Sequence, residues 1–189
     1  MSAAAAAAGP LPTIAEASRR IAAGDLSPVA LIEAALARAD ALNGRLSAFI
    51  AITAERARAA AERAERDIAG GRRRGPLHGI PYGLKDIYDA AGLRTTAHSK
   101  LLLDNVAVAD AATTARLEAA GMVLIGKLAT HEFATGGPAW DLPFPPARNP
   151  WNPLHFTGGS SSGSGAAVAA GILPLSLIHI SEPTRQAEI

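Results

Sequence analysis

The feature that most restricts what this chain can become is the run Phe156-Thr157-Gly158-Gly159-Ser160-Ser161-Ser162-Gly163-Ser164-Gly165. It passes without a break into Ala166-Ala167-Val168-Ala169-Ala170-Gly171. Glycines let the backbone approach another group closely and adopt positive φ. A helix beginning in the alanine segment would aim unpaired N–H groups and a partial positive charge back at the serines. Gly/Ser runs are commonly flexible linkers. A linker, however, should not lead straight into helix-forming alanines and a second apolar run, Ile172-Leu173-Pro174-Leu175.

Two chemical readings of the run fail, one on its own residues and one on the order of residues after it. A phosphate loop needs Gly-Lys-Ser/Thr at its close, and neither that ending nor Gly-x-Gly-x-x-Gly is present. Gly159-Ser160-Ser161-Ser162-Gly163 does match the Gly-x-Ser-x-Gly nucleophile elbow, which would make Ser161 a nucleophile. That arrangement needs an acid and then a histidine after the serine. Within this chain the one downstream histidine is His179, and the acids Glu182 and Glu188 follow it.

Composition removes further classes. With 189 residues, 49% of them hydrophobic, the chain can bury one ordinary core. A net charge of +1 gives no global field for nucleic acid. With no cysteine there is no disulfide, thiolate nucleophile or zinc–thiolate site. The start, Met1-Ser2 and six alanines, lacks the basic and strongly apolar regions of a signal peptide. No apolar run reaches the roughly 18 residues of a membrane span. A soluble, cytoplasmic chain without membrane contact is expected.

In order along the chain, residues 1–11 read as a disordered leader. Thr13, with Glu16 in the capping-box position, opens a short helix to about Ala22. Ser27-Pro28 starts a second, amphipathic helix that Asn43-Gly44 is expected to end near Leu42. Leu46 to Thr53 suits a strand. From Thr53 to Ala69 a helix of mixed charge should present a solvated face with i,i+3 and i,i+4 pairs. Arg72-Arg73-Arg74 reads as a solvated loop. In Gly79-Ile80-Pro81-Tyr82-Gly83-Leu84-Lys85-Asp86-Ile87 a lysine closes an apolar strand; by propensity alone it snorkels to water, and otherwise it is buried with a lowered pKa. A helix over 111–121 and a buried strand over 122–126 give the αβ rhythm of a sheet covered by helices. Lys127 reads as an ordinary strand-end charge. His131-Glu132 lacks the second histidine a zinc site would need. Pro138 to Pro153 is an irregular, proline-rich loop of the kind that lines a site.

Three segments then stand in one order: Gly79-Ile80-Pro81-x-x-x-Lys85-Asp86, Asn149-Pro150-Trp151, and Gly158-Gly159-Ser160-Ser161-x-Gly163-Ser164 with the alanines after it. Together they resemble the amidase signature family, and Gly121 to Lys127 and Glu132-Phe133 are similar to its intervening sequence. The resemblance runs from about Thr13 to Leu177. It implies an α/β fold, a mixed sheet covered by helices, here truncated. It implies an amide hydrolase with a Ser–cis-Ser–Lys triad, in which Lys85 is the base and Ser160 the bridging serine after a cis Gly159–Ser160 bond. Gly159 and Ser161 are implied to help bind substrate. No cofactor or metal is implied. The implied partners are a small-molecule amide and either a second copy of the chain or, if the protein is the glutaminase component of a tRNA-dependent amidotransferase (its A subunit), that enzyme's other subunits. Thr157, Ser162 and Gly165 depart from the common pattern, each small for small.

The family's nucleophilic serine lies in a Gly-[Ser/Thr]-Asp-x-Gly-Gly-Ser run. Ungapped counting from Ser160 lands on Thr184, in a stretch without a single glycine. Leu175 to Arg185 reads as translated sequencing-adapter DNA. The expected organisation is therefore a leader (1–11), the front of one amidase domain (12–175) and a non-native tail (176–189). The competing expectation from another class is a non-catalytic Gly/Ser-loop module.

Overall fold

The computed structural model describes residues 9–176. Thr13 and Ser27 cap the first two helices among the described residues, α1 (Ile14–Ala23) and α2 (Pro28–Leu46), through side chains that accept from Glu16 N–H and Ala30 N–H. Helix α2 runs past the expected stop at Asn43-Gly44. The Asn43 side chain instead accepts from Phe49 N–H at 2.7 Å and donates to Phe49 O at 3.0 Å. The helix ends at Ser47, whose φ of 48° turns the chain. Strand β1 (Phe49–Ile52) and helix α3 (Ala54–Ala69) follow. The apolar side of α3 is alanine at i, i+4 and i+7 (Ala57, Ala61, Ala64), all buried. Its charges pair mostly away from the helix, Arg58 with Glu33 at 2.6 Å and Arg56 with Glu118 at 2.7 Å; Glu62–Arg66 is an i,i+4 pair at 3.8 Å.

Strands β2 (Pro81–Lys85) and β3 (Val123–Leu128), with α4 (Ala112–Ala119) between them, complete a three-stranded sheet in the order β1-β3-β2. β2 is parallel to β3 and β1 antiparallel to it. This is the mixed, helix-covered α/β sheet that the sequence implied. One core cluster joins Val123, Ile125 and Leu128 to residues of α2, α3 and helix α5 (Ser162–Ala169). The other joins Tyr82, Leu84 and Leu124 to Ala17 and Ile21 of α1 and Leu117 of α4.

The register of β2 on β3 contains a bulge. Tyr82 pairs with Leu124 but Gly83 pairs with Gly126, so Ile125 is the extra residue. Beyond it the alternation of faces shifts by one. Lys127 then lies opposite Leu84, a member of the second cluster, and Leu128 lies opposite Lys85. Gly126 is needed there because a Cβ would stand 2.2 Å from Ala51 O.

Of the residues expected as a leader, Gly9 to Leu11 are tied down. Leu11 N–H donates to Gly171 O at 3.2 Å, and Arg38 donates to Gly9 O. His78, just before β2, is buried and accepts from Arg74 N–H at 3.1 Å through Nδ1. Its ring fills the space over Gly121, where a Cβ would lie 2.3 Å from Cδ2. Burial, and then the charge of Arg74, hold its pKa below the ordinary 6.5. The folded state thus keeps His78 neutral where the unfolded chain would take a proton, so this contribution to stability is complete above about pH 6.5 and is lost as pH falls. Denaturant midpoints should fall more steeply between pH 6.5 and pH 5 (roughly the His range) in the parent chain than in His78→Phe. Parallel pH profiles would refute the assignment.

Candidate active site

In a parallel α/β unit, side chains for chemistry collect beyond the carboxyl ends of the strands. Lys85 closes β2, and all five residues of that strand are buried. The lysine therefore does not snorkel; its stem has no wet edge to follow. Nζ donates to Ser160 Oγ at 2.8 Å across 75 residues of sequence. Glycine at position 83 makes room beneath it, since a Cβ there would stand 2.5 Å from Leu128 Cδ1 and 2.6 Å from Leu173 Cδ1.

Ser160 is positioned by the segment after β3. Its carbonyl accepts from Thr130 Oγ1 at 2.9 Å and from His131 N–H at 2.9 Å. The Gly159–Ser160 bond is cis, as the resemblance implied. The His131 imidazole lies against Gly159, where a Cβ would be 2.2 Å from the ring. His131 Nδ1 meets Gly136 O at 2.9 Å. A carbonyl only accepts, so Nδ1 carries the hydrogen.

Helix α5 begins at Ser162, within the serine run and ahead of the alanines. Ser161 is the residue before its first turn; it is buried, and its carbonyl accepts from Gly165 N–H at 3.1 Å. The close approach of α5 to the sheet falls at Gly163. Its N–H donates to Ala129 O at 2.9 Å, and a Cβ would lie 2.3 Å from Ala48 O. The structure thus brings Lys85, Ser160, Gly159 and Ser161 together. The position near 184, and the tail beyond Ser176, lie outside the described residues. Ser176 itself is buried, donates to Ser164 Oγ at 2.7 Å, and forms a parallel bridge with Gly83.

One pair escaped the sequence reading. Lys127 is not beyond its strand but within it, and is buried with Asp86 at 2.8 Å. Three hydrogen bonds from Nζ go to Tyr88 O (2.9 Å), Arg94 O (3.0 Å) and Thr95 Oγ1 (2.9 Å). An ammonium has three donors. The contact with Asp86 is accordingly an ion pair rather than a fourth directed bond. The carboxylate also accepts from Thr96 N–H at 2.9 Å and from its hydroxyl. Asp86 was visible in the motif, but nothing in the local pattern linked it to a lysine 41 positions on.

Residues 30–177 match the family described as Amidase. The chain belongs to the amidase family. Among its relatives is the A-type subunit of the Glutamyl-tRNA(Gln) amidotransferase of Anaeromyxobacter sp. (strain K), 46% identical over 162 residues, covering 86% of this chain and 33% of the relative. The peptide amidase of Stenotrophomonas maltophilia superposes with a TM-score of 0.80 at 36% identity, over 87% of this chain and 35% of that one. A chain from the vestigial protein complex that reveals the evolutionary origins of an s-triazine catabolic enzyme gives 0.83 at 42% identity, over 87% and 36%. This amidase-family chain therefore spans about a third of the length of the relatives it matches. No helix among its described residues is long and apolar enough to cross a membrane.

Proposed function

We propose that this amidase-family chain supplies two of the three groups of a Ser–Ser–Lys amide hydrolase, Lys85 as base and Ser160 as proton bridge. The observation that carries the reading is the buried 2.8 Å contact between Lys85 Nζ and Ser160 Oγ. A lysine accepts a proton only when uncharged, and burial disfavours the ammonium form. A hydroxyl is donor and acceptor at once. Ser160 can therefore take the proton of an attacking serine hydroxyl as it passes its own to Lys85. The attack forms an acyl ester on that serine, the proton returns to the departing ammonia or amine, and water releases the acid. Gly159 and Ser161, which flank the bridging serine, are proposed to help hold the substrate.

The nucleophile is proposed to lie beyond the front part of the domain formed by residues 12–175. By itself the 189-residue chain should release no ammonia above background from simple carboxamides, read with a coupled ammonia assay. Turnover that disappears in Lys85→Ala would refute this placing of the nucleophile.

A second reading is supported by the 46% identity to the amidotransferase component. In it the same chemistry frees ammonia from glutamine, and the working protein has partner subunits. A gene extended through a Gly-[Ser/Thr]-Asp-x-Gly-Gly-Ser segment separates the two. Hydrolysis of simple amides by the lone protein supports a stand-alone amidase; strict glutamine dependence with co-purifying subunits supports the amidotransferase.

A further inference from the structure

A cleft of about 330 Å³ opens at the other end of the parallel strands, between α3, the loop carrying Arg74 and the start of β3. It is far from Lys85: β3 advances about 3.3 Å per residue, which puts its two ends roughly 15–20 Å apart. Arg56, Ala60, Arg63 and Ala64 of α3 line it, a spacing that places them along one side of the helix. The two alanines leave the space that the arginines border.

Three arginines, Arg56, Arg63 and Arg74, share the lining with one carboxylate, that of Glu118. Arg56 Nη2 donates to Glu118 Oε1 at 2.7 Å and Nη1 to Ala91 O at 2.9 Å. Arg74 Nη1 donates to Glu118 O at 3.2 Å, and Asp67 draws on its Nη2 at 3.4 Å. Arg63 has no hydrogen-bond or ion-pair partner among the described residues. His78 also lines the cleft, although the residue is only 2% exposed. Because its Nδ1 accepts from Arg74 N–H, the ring hydrogen sits on Nε2. Among the described residues no acceptor meets that N–H.

We propose that this cleft is a binding site for a small phosphate-bearing anion. Guanidinium forks match phosphate oxygens geometrically, and a neutral imidazole N–H adds a fixed donor from a buried side. The volume is at the low end for small-molecule sites, which suits a phosphomonoester rather than a larger cofactor. The site depends on neither Lys85 nor Ser160, so it stands or falls apart from the amidase reading.

The test is a ¹H–¹⁵N titration of the 189-residue chain with inorganic phosphate and with glycerol phosphate, against sodium chloride at matched ionic strength. Both phosphates should give saturable shifts at the His78 ring, Arg74 and Gly121, and chloride none. Arg63→Gln, an exposed change that breaks no internal contact, should weaken both phosphates about tenfold, as loss of one charge-assisted contact would. His78→Phe should weaken them similarly while keeping a ring over Gly121. Non-saturable shifts, equal shifts with chloride, or unchanged affinity in both variants would overturn the site.

Discussion

Replacing Lys127 with methionine is expected to destabilise the fold by about 3–5 kcal/mol, because it strands the Asp86 carboxylate in a buried place without its partner. Asp86 has 0% side-chain exposure and Lys127 2%, so water cannot substitute. The lost ammonium also leaves Tyr88 O, Arg94 O and Thr95 Oγ1 short of a donor. Domains are stable by only about 5–15 kcal/mol in total, so the change should bring thermal unfolding close to ambient temperature. The informative companion is Lys127→Met with Asp86→Leu. Removing both charges of a buried pair is often neutral, so the double variant should recover most of the loss in a urea melt. If Lys127→Met alone melts like the parent, the pair contributes nothing and the burial argument fails. The same pair fixes the turn directly after Lys85, since Asp86 N–H is bonded to Leu128 O at 3.0 Å while its side chain holds Thr96.

The second large effect is expected at Gly163. Adding one methyl group there places a carbon 2.3 Å from Ala48 O and 2.5 Å from Ala129 N. Both are backbone atoms, tied to each other by an Ala129 N–H to Ala48 O bond of 2.9 Å, so neither can rotate away. Helix α5 must shift instead, at the roughly 1–3 kcal/mol typical of overpacking. The first residues of α5 follow directly on Ser160, so the shift should also break its contact with Lys85. Gly163→Ala should therefore lower the melting temperature and move the Lys85 side-chain NMR signal. Gly165→Ala is the control: nothing lies within 4 Å of a Cβ there. A helical glycine-to-alanine change is worth about 0.4–1 kcal/mol of stabilisation. Equal melting temperatures for the two variants would refute the close-packing account.

Local signals carried the elements well where they were chemical rather than statistical. Thr13 and Ser27 cap helices because their hydroxyls accept the N–H groups that a first turn leaves open. Asn43-Gly44 misled because the Asn43 side chain bonds Phe49, a partner six residues on, and the helix continues past it. Propensity put Lys85 in water, whereas the ordered motifs put it beside a serine; the fold sides with the motifs because both neighbouring layers cover β2. Lys127 was illegible for a different reason. All six residues of β3 are buried, so its partner depends on which face it occupies, and that depends on a bulge that no periodicity in Val123 to Leu128 announces.

That bulge at Ile125 acts as a parity device. A strand can normally present lysines two apart to one side only, and neighbours to opposite sides. One unpaired residue lets β3 set its own lysine against the Asp86 carboxylate on one side while Leu128 backs Lys85 on the other. Deleting a single residue between Leu124 and Gly126 would shorten the chain by less than a hundredth, yet it would exchange which face receives a cation. Tolerance to substitution along this strand should thus be far greater than tolerance to a change in its length. In this segment an indel is a chemical mutation.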